Sequence, residues 1–136
     1  MSATVRKIDY FYVTLSNTPG QGAKILADLA AVGVNLLAFS GFPSGRKAQL
    51  DLVPDDAAKF KAAAKKLKLA LSARKSGFIV DGDDRVGAMT GILDTLAAAK
   101  INVIAMDAVS GQGRFGAIFW VKPQAVAKTA KLLGAR

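Results

Sequence analysis

Residues 20–38 read GQGAKILADLAAVGVNLLA, and residues 87–105 read GAMTGILDTLAAAKINVIA. The two segments lie 67 positions apart, and 8 of their 19 aligned residues are identical. Three identities are alanines in an alanine-rich chain, but the others keep a glycine, an asparagine and a helical apolar stripe in register, which indicates an internal duplication. The identical pairs are Gly20 with Gly87, Ile25 with Ile92, Leu26 with Leu93, Leu29 with Leu96, Ala30 with Ala97, Ala31 with Ala98, Asn35 with Asn102, and Ala38 with Ala105.

Each copy predicts the same order of elements: strand, helix, two strands and helix. Polar and apolar residues alternate over residues 8–16, which predicts a strand. Ile25, Leu29 and Val32 then recur at helical spacing before Gly33, a residue suited to ending a helix. Further predicted elements are strands 34–42, 48–53 and 69–73 and a helix after Pro54 in the first copy, and strand 77–82, helix 87–99, strands 101–109 and 115–121 and helix 124–133 in the second.

The duplication predicts two modules, residues 1–75 and residues 76–136. After its second helix the second module has no residues left for a closing strand, so it lacks a clear fourth strand. An unpaired sheet edge invites pairing with other chains. We therefore expect either another chain or the N-terminal segment to cover that edge.

The turn between the first strand and the first helix could hold a ligand. Thr18 suits the N-cap, Pro19 suits the first helical position, and Gln21 would complete a capping box. Gly20 leaves the backbone approachable, and a helix start attracts carboxylates through its amides and dipole. A closed capping box would occupy the amide of Gln21, so the segment serves equally well as a helix cap and as an anion site.

Asn35 favours the ligand site. It recurs as Asn102, in each copy at the start of the second strand, and its amide can offer both a donor and an acceptor to a zwitterion. The alternative is a turn residue that bonds its own backbone.

Composition restricts the chemistry available to the chain. It has no cysteine and no histidine, which excludes disulfides, thiolate ligands and the commonest acid–base group, and we predict no catalytic residue, metal or cofactor. The apolar stretch at residues 10–15 is too short for a signal peptide or a membrane span, so we expect a cytoplasmic protein.

The net charge of +9 is concentrated in the first copy, where residues 1–75 carry twelve basic and five acidic side chains. Such a charge run could attract nucleic acid, but a solvated helix face is the favoured interpretation. Its members are Lys59, Lys61, Lys65, Lys66, Lys68, Arg74 and Lys75.

The run Asn17-Thr18-Pro19-Gly20, followed by a helix and by Gly33-Val34-Asn35-Leu36, resembles the motif of the ACT-domain family. The second copy resembles it through Gly87 and Ile101-Asn102-Val103. The resemblance implies an α+β fold of two ferredoxin-like βαββαβ modules with strand order 4-1-3-2. It also implies sensing of amino acids or other small ligands between paired modules, with effects on an enzyme or other protein.

In that family the ligand lies against the first strand-to-helix turn and the start of the second strand. Asp83 and Asp84 would repel a ligand carboxylate in the second copy, so we expect the first copy to be the better site. We also expect a homodimer whose output reaches another chain. The candidate ligand residues are Asn17, Thr18, Pro19, Gly20, Gln21 and Asn35, with weaker counterparts at Asp84, Gly87 and Asn102.

Other function classes fit the sequence less well. RNA-recognition modules stack bases on aromatic side chains of the first and third strands. In the first copy the first strand has Tyr10 and Tyr12, but the third strand has no aromatic residue. A protein-interaction module without a ligand would use the same tyrosine-bearing sheet face. An enzyme has the least support, because no metal cluster, nucleophile triad or phosphate loop is present in the sequence.

Overall fold

The computed structural model describes residues 3–136, which divide into two compact units. The first unit comprises residues 9–75, and the second comprises the N-terminal residues through Ile8 together with residues 76–136. The division falls inside one long strand, β1 (Ala3–Ser16). The N-terminal half of β1 therefore belongs to the second unit and its C-terminal half to the first.

The first unit contains a three-stranded antiparallel sheet in the order β2-β3-β1. Phe11, Val13 and Leu52 point from this sheet into a core closed by the two helices, because alternate residues of a strand face the same side. After the C-terminal half of β1 its elements are α1 (Gln21–Ala31), β2 (Leu36–Ser44), β3 (Lys47–Pro54) and α2 (Ala57–Lys66).

The predicted closing strand at residues 69–73 does not form as a regular strand. The backbone amide of Ser72 donates to the carbonyl of Tyr12 at 2.9 Å, as a strand neighbour would. The amide of Tyr12, however, donates to the Ser72 hydroxyl instead of a backbone carbonyl. The side chain has replaced the backbone acceptor, so the ladder does not continue.

The second unit repeats this order of elements. Its sheet has the order β1-β4-β6-β5, so the N-terminal half of β1 lies beside β4, on the edge that the sequence left open. Of the two expected ways to cover that edge, the N-terminal segment is the one found. Its remaining elements are β4 (Lys75–Asp83), α3 (Thr90–Ala98), β5 (Val103–Gly111), β6 (Arg114–Val121), a short 3₁₀ turn (Pro123–Ala125) and α4 (Val126–Leu133).

The N-terminal strand contributes to the core of the second unit. Val5 packs with Phe78 and Phe119, whose rings stack with centroids 5.2 Å apart. The carbonyl of Val5 accepts a hydrogen bond from the amide of Arg136, and the carbonyl of Arg136 accepts one from Lys7. Backbone pairing on both sides thus fixes this segment.

The strand pairings of the two units have the same register. Phe11 lies opposite Leu52 in the first unit, and Phe78 lies opposite Phe119 in the second, each residue 67 positions later. The pairing of each edge strand with its neighbour also has an irregularity at the matching place. It falls between Leu36 and Ala38 in β2 and between Val103 and Ala105 in β5. The agreement extends the repeat from 19 aligned residues to the hydrogen-bonding pattern of the sheets.

Across residues 3–136, none of the helices is long and apolar enough to cross a membrane.

Candidate functional site

The first strand-to-helix turn is built around Gly20. This residue is the N-cap of α1 and has a left-handed backbone with φ of 90°, and no side chain caps the helix. The predicted capping box of Thr18 and Gln21 is therefore wrong. The Thr18 hydroxyl instead bonds the Ser16 hydroxyl at 3.1 Å, while the helix begins two residues later than a Thr18 cap requires.

An uncapped start changes what the turn can do. The first amides of a helix have no partner within it; here the Gln21 amide donates to the carbonyl of Thr18 at 3.5 Å, and no side chain caps the amides that follow. Side chains at residues 17–21 are exposed, and a Cβ placed on Gly20 or Gly22 would meet no atom within 4 Å. A carboxylate could therefore approach the amides of α1 and the positive end of its dipole.

Asn35 has a partner elsewhere. Its side-chain amide donates to an Asp55 carboxylate oxygen at 3.4 Å, and its backbone carbonyl accepts a hydrogen bond from the backbone amide of Asp55 at 3.0 Å. The long side-chain bond leaves this amide loosely held. Both contacts join the start of β2 to the end of β3, at the other end of α1 from Gly20. They differ from the alternative that the sequence offered, a turn residue that bonds its own backbone.

The corresponding turn of the second unit has a different shape. Gly87 is left-handed like Gly20, with φ of 70°, but α3 begins at Thr90 and not at residue 87 as predicted. The backbone amide of Thr90 donates to the carbonyl of Gly87, so Gly87 to Met89 form turns before the helix. A Cβ on Gly87 would lie 3.1 Å from the Thr90 hydroxyl, so this turn is more crowded than the first.

Acidic side chains surround the second turn. Arg114 bridges Asp81 and Asp83 at 3.1 and 2.9 Å, and the amide of Asp84 donates to the carbonyl of Gly113. Asp84 and Asn102 are both exposed. The first turn contains no acidic residue, which makes it the more favourable place for a carboxylate.

A buried carboxyl that no sequence motif indicated lies on β3. Asp51 is 7% exposed, and one of its oxygens accepts a 2.9 Å hydrogen bond from the Gln49 amide. Burial raises the pKa of Asp51, while the Gln49 bond and the Lys75 charge oppose the rise. The predicted strand 48–53 contains Asp51, but a strand pattern carries no indication that a carboxyl is buried.

Tyr10 and Tyr12 lie half-buried near this carboxyl. Burial, with a smaller contribution from the charge of Asp51, raises the pKa of Tyr10 to about 12. The Lys75 ammonium lies 5.9 Å from the centre of the Tyr12 ring. These tyrosines are thus part of a polar cluster on the sheet. In residues 3–136 no group of three or more acidic side chains could hold a metal ion.

Comparison with solved structures identifies the fold. The chain is similar to protein BT0572 from Bacteroides thetaiotaomicron, with a TM-score of 0.80 and 19% identity over 97% of this chain and 88% of that one. It is also similar to the ligand-free regulatory subunit of aspartate kinase from Thermus thermophilus, with a TM-score of 0.66 and 11% identity over 98% of this chain and 95% of that one. The regulatory subunit from Thermus flavus gives a TM-score of 0.65 and 13% identity over the same shares.

No protein-family model matches the sequence, and neither does any curated protein. At these identities the likeness shows the fold alone. The chain has an α+β, ACT-like fold of the kind found in those regulatory subunits.

Proposed function

We propose that this chain is an amino-acid-binding regulator that acts on another protein and performs no chemistry itself. It is built, in this proposal, from two ACT-like modules, residues 1–75 and 76–136, with β1 completing the second. The repeated strand register supports two modules, and the fold shared with regulatory subunits of aspartate kinase supports a regulatory role.

The observation that carries the proposal is the uncapped start of α1. Gly20 exposes the first amides of the helix, and a ligand carboxylate would accept their hydrogen bonds. Asn17, Thr18, Pro19 and Gln21 would surround the carboxylate. Asn35 follows the other end of α1, about 16 Å from Gly20, so the Asn35 that contacts the amino group would come from a second copy of the chain, after giving up its long bond to Asp55. Asp84 and Gly87, with Asn102 of another copy, would form a weaker second site.

Regulation follows if the ligand binds one arrangement of the protein more tightly than another. Only that difference in affinity can shift the equilibrium between the arrangements. The protein or enzyme that responds would recognise the arrangement favoured by the ligand.

A thermal-shift screen of the amino acids tests this proposal. We expect one of them, at about one hundred times its dissociation constant, to stabilise the protein by about 2.7 kcal/mol, enough to raise Tm by several degrees. Gly20→Asp should abolish the shift, because the new carboxylate repels the ligand at a left-handed backbone position.

Gly134→Asp is the matched control. Gly134 also has positive φ, and a Cβ there has open space around it, so this change introduces the same charge and similar strain at the end of α4, in the other unit. It should leave the ligand-induced shift intact. If no amino acid at millimolar concentration moves Tm, or if Gly20→Asp still responds, the amino-acid site is refuted.

We further propose that two copies of the chain pair through their edge strands. β2 and β5 each have a single strand neighbour in their sheets, and each carries three exposed apolar side chains at positions 67 residues apart. Exposed apolar residues on an open strand edge favour pairing with another chain. The residues are Leu37, Phe39 and Phe42 on β2, and Ile104, Met106 and Val109 on β5.

Sedimentation velocity measures this association. We expect the protein to sediment as a dimer at micromolar concentration, and the double variant Phe39→Lys with Met106→Lys to sediment as a monomer, because charged side chains block edge pairing. Exposed Leu132 lies on α4, so Leu132→Lys serves as the control and should remain dimeric. A monomeric unmodified chain would refute the pairing.

A further inference from the structure

Helix α2 is strongly and one-sidedly basic. It contains four lysines and no acidic residue, and Lys68 lies two residues beyond its end. The ion pairs found between residues 3 and 136 involve Lys24, Arg74 and Arg114 and none of the α2 lysines. None of the α2 lysine side chains is therefore paired with a carboxylate within that part of the chain; Asp56 caps the start of the helix through its backbone amides.

Three of these lysines surround a cleft between the end of α1 and α2. The cleft has a volume of about 450 Å³, and its apolar lining consists of Val32, Ala62 and Ala63. Lys59 reaches across toward the end of α1, where its Nζ lies 3.3 Å from the position that a Cβ on Gly33 would take. The other lysines that line the cleft are Lys65 and Lys66.

The fold does not require positive charge at these positions. Lys65 and Lys66 lie in the last turn of α2 and interact favourably with its dipole, but Lys59 lies in the first turn, where a cation is unfavourable. The core faces of the two helices match at a shift of 66, with Phe60 and Leu67 at the places of Val126 and Leu133. On that register the positions of Lys59 and Lys66 are apolar in α4, whereas that of Lys65 is again a lysine. They are Ala125, Leu132 and Lys131.

We propose that this lysine cleft docks an acidic segment of a partner protein, with an apolar side chain in the cleft and carboxylates on the surrounding lysines. The proposal rests on the regulatory function above, because it identifies where the regulated protein would make contact. Charge complementarity of this kind accelerates encounter and selects acidic partners.

The lining of the cleft favours a protein segment over the other polyanions. Single-stranded nucleic acids bind by stacking bases on aromatic side chains, but no aromatic residue lines the cleft and Phe60 of α2 is fully buried. Membrane-surface helices insert large apolar side chains, whereas the exposed residues of α2 are alanines and lysines. The small apolar lining suits a single aliphatic side chain between carboxylates.

The test is fluorescence anisotropy with a short labelled peptide of glutamates around one central leucine, measured on the full chain without amino-acid ligand. We expect the triple variant Lys59→Gln, Lys65→Gln, Lys66→Gln to bind the peptide about tenfold more weakly than the unmodified chain, a loss of about 1.4 kcal/mol. Replacing the central leucine of the peptide by glycine should weaken binding as well, since the cleft would lose its apolar occupant.

The matched control removes the same charge elsewhere. The triple variant Lys47→Gln, Lys122→Gln, Lys131→Gln changes exposed lysines that do not line the cleft, and it should weaken binding less than about threefold. Equal losses in both triple variants, no binding of the leucine peptide, or tighter lysine-dependent binding of a single-stranded oligonucleotide would each overturn the proposal. The peptide is measured without an amino-acid ligand, and Gly20→Asp leaves the cleft residues unchanged. The amino-acid screen and the peptide assay can therefore fail independently of each other.

Discussion

Replacing Phe60 by alanine should lower the free energy of unfolding by about 3–5 kcal/mol, the usual loss when a buried aromatic ring is truncated. Phe60 has no exposed surface, and its ring stacks on Phe11 with centroids 5.2 Å apart. The substitution removes apolar burial and leaves a cavity between α2 and the sheet of the first unit. Urea denaturation followed by circular dichroism measures the loss.

Hydrogen exchange locates the damage. Amides of the first unit should exchange faster in Phe60→Ala, whereas those of β4 and β6 should change less, because Phe60 belongs to the first core. Lys61→Ala is the control: it introduces the same residue at an exposed neighbouring position of α2 and should cost less than about 0.5 kcal/mol. A loss no greater than that of the control would show that α2 does not pack as described.

The two cores reach a similar aromatic pair by different routes. Phe11 stacks on Phe60 of α2, whereas Phe78, its counterpart 67 residues later, stacks on Phe119 of β6. The core-facing residue of α4 at the place of Phe60 is Val126, and the residue at the place of Phe119 is Leu52. The second ring of the pair thus lies on a helix in the first unit and on a strand in the second. Cores tolerate such differences when volume and patterning are kept.

This exchange explains how much of the fold the sequence could predict. Alternation and helical spacing identify the face of a residue, so the element order was predicted except for the strand at residues 69–73, and the repeated segment marked residues with equivalent places. They do not identify which side chain on the opposite element completes a contact. The pairing of Phe11 with Phe60 depends on how α2 crosses the sheet, and no local pattern records that crossing.

The candidate site was less predictable than the fold, because competing hydrogen bonds determine which partner each side chain takes. Thr18 and Gln21 have the right spacing for a capping box, yet the Ser16 hydroxyl binds Thr18 and left-handed Gly20 starts the helix. Asn35 finds Asp55 through the hairpin, 20 residues away. The lysine cleft likewise joins the end of α1 to α2, residues that no motif connects.

A second large effect is expected from Val5→Asp. Val5 is 7% exposed and lies in the core of the second unit with Phe78 and Phe119, so the substitution would place an unpaired carboxylate among aromatic rings. An uncompensated buried charge costs about 3–5 kcal/mol. Thermal denaturation should show the loss, and hydrogen exchange should show reduced protection along β4, the strand beside this segment.

Arg6→Asp separates burial from charge, because it places aspartate on the next residue of the same strand, where the side chain is exposed. It should cost less than about 0.5 kcal/mol, since surface substitutions away from packed features have small effects. If Val5→Asp is equally mild, the N-terminal strand is not part of the second core and the edge of β4 is left for another chain. If it is severe, this segment supplies the strand that the second copy lacks, and pairing between chains is left to the exposed apolar residues of β2 and β5.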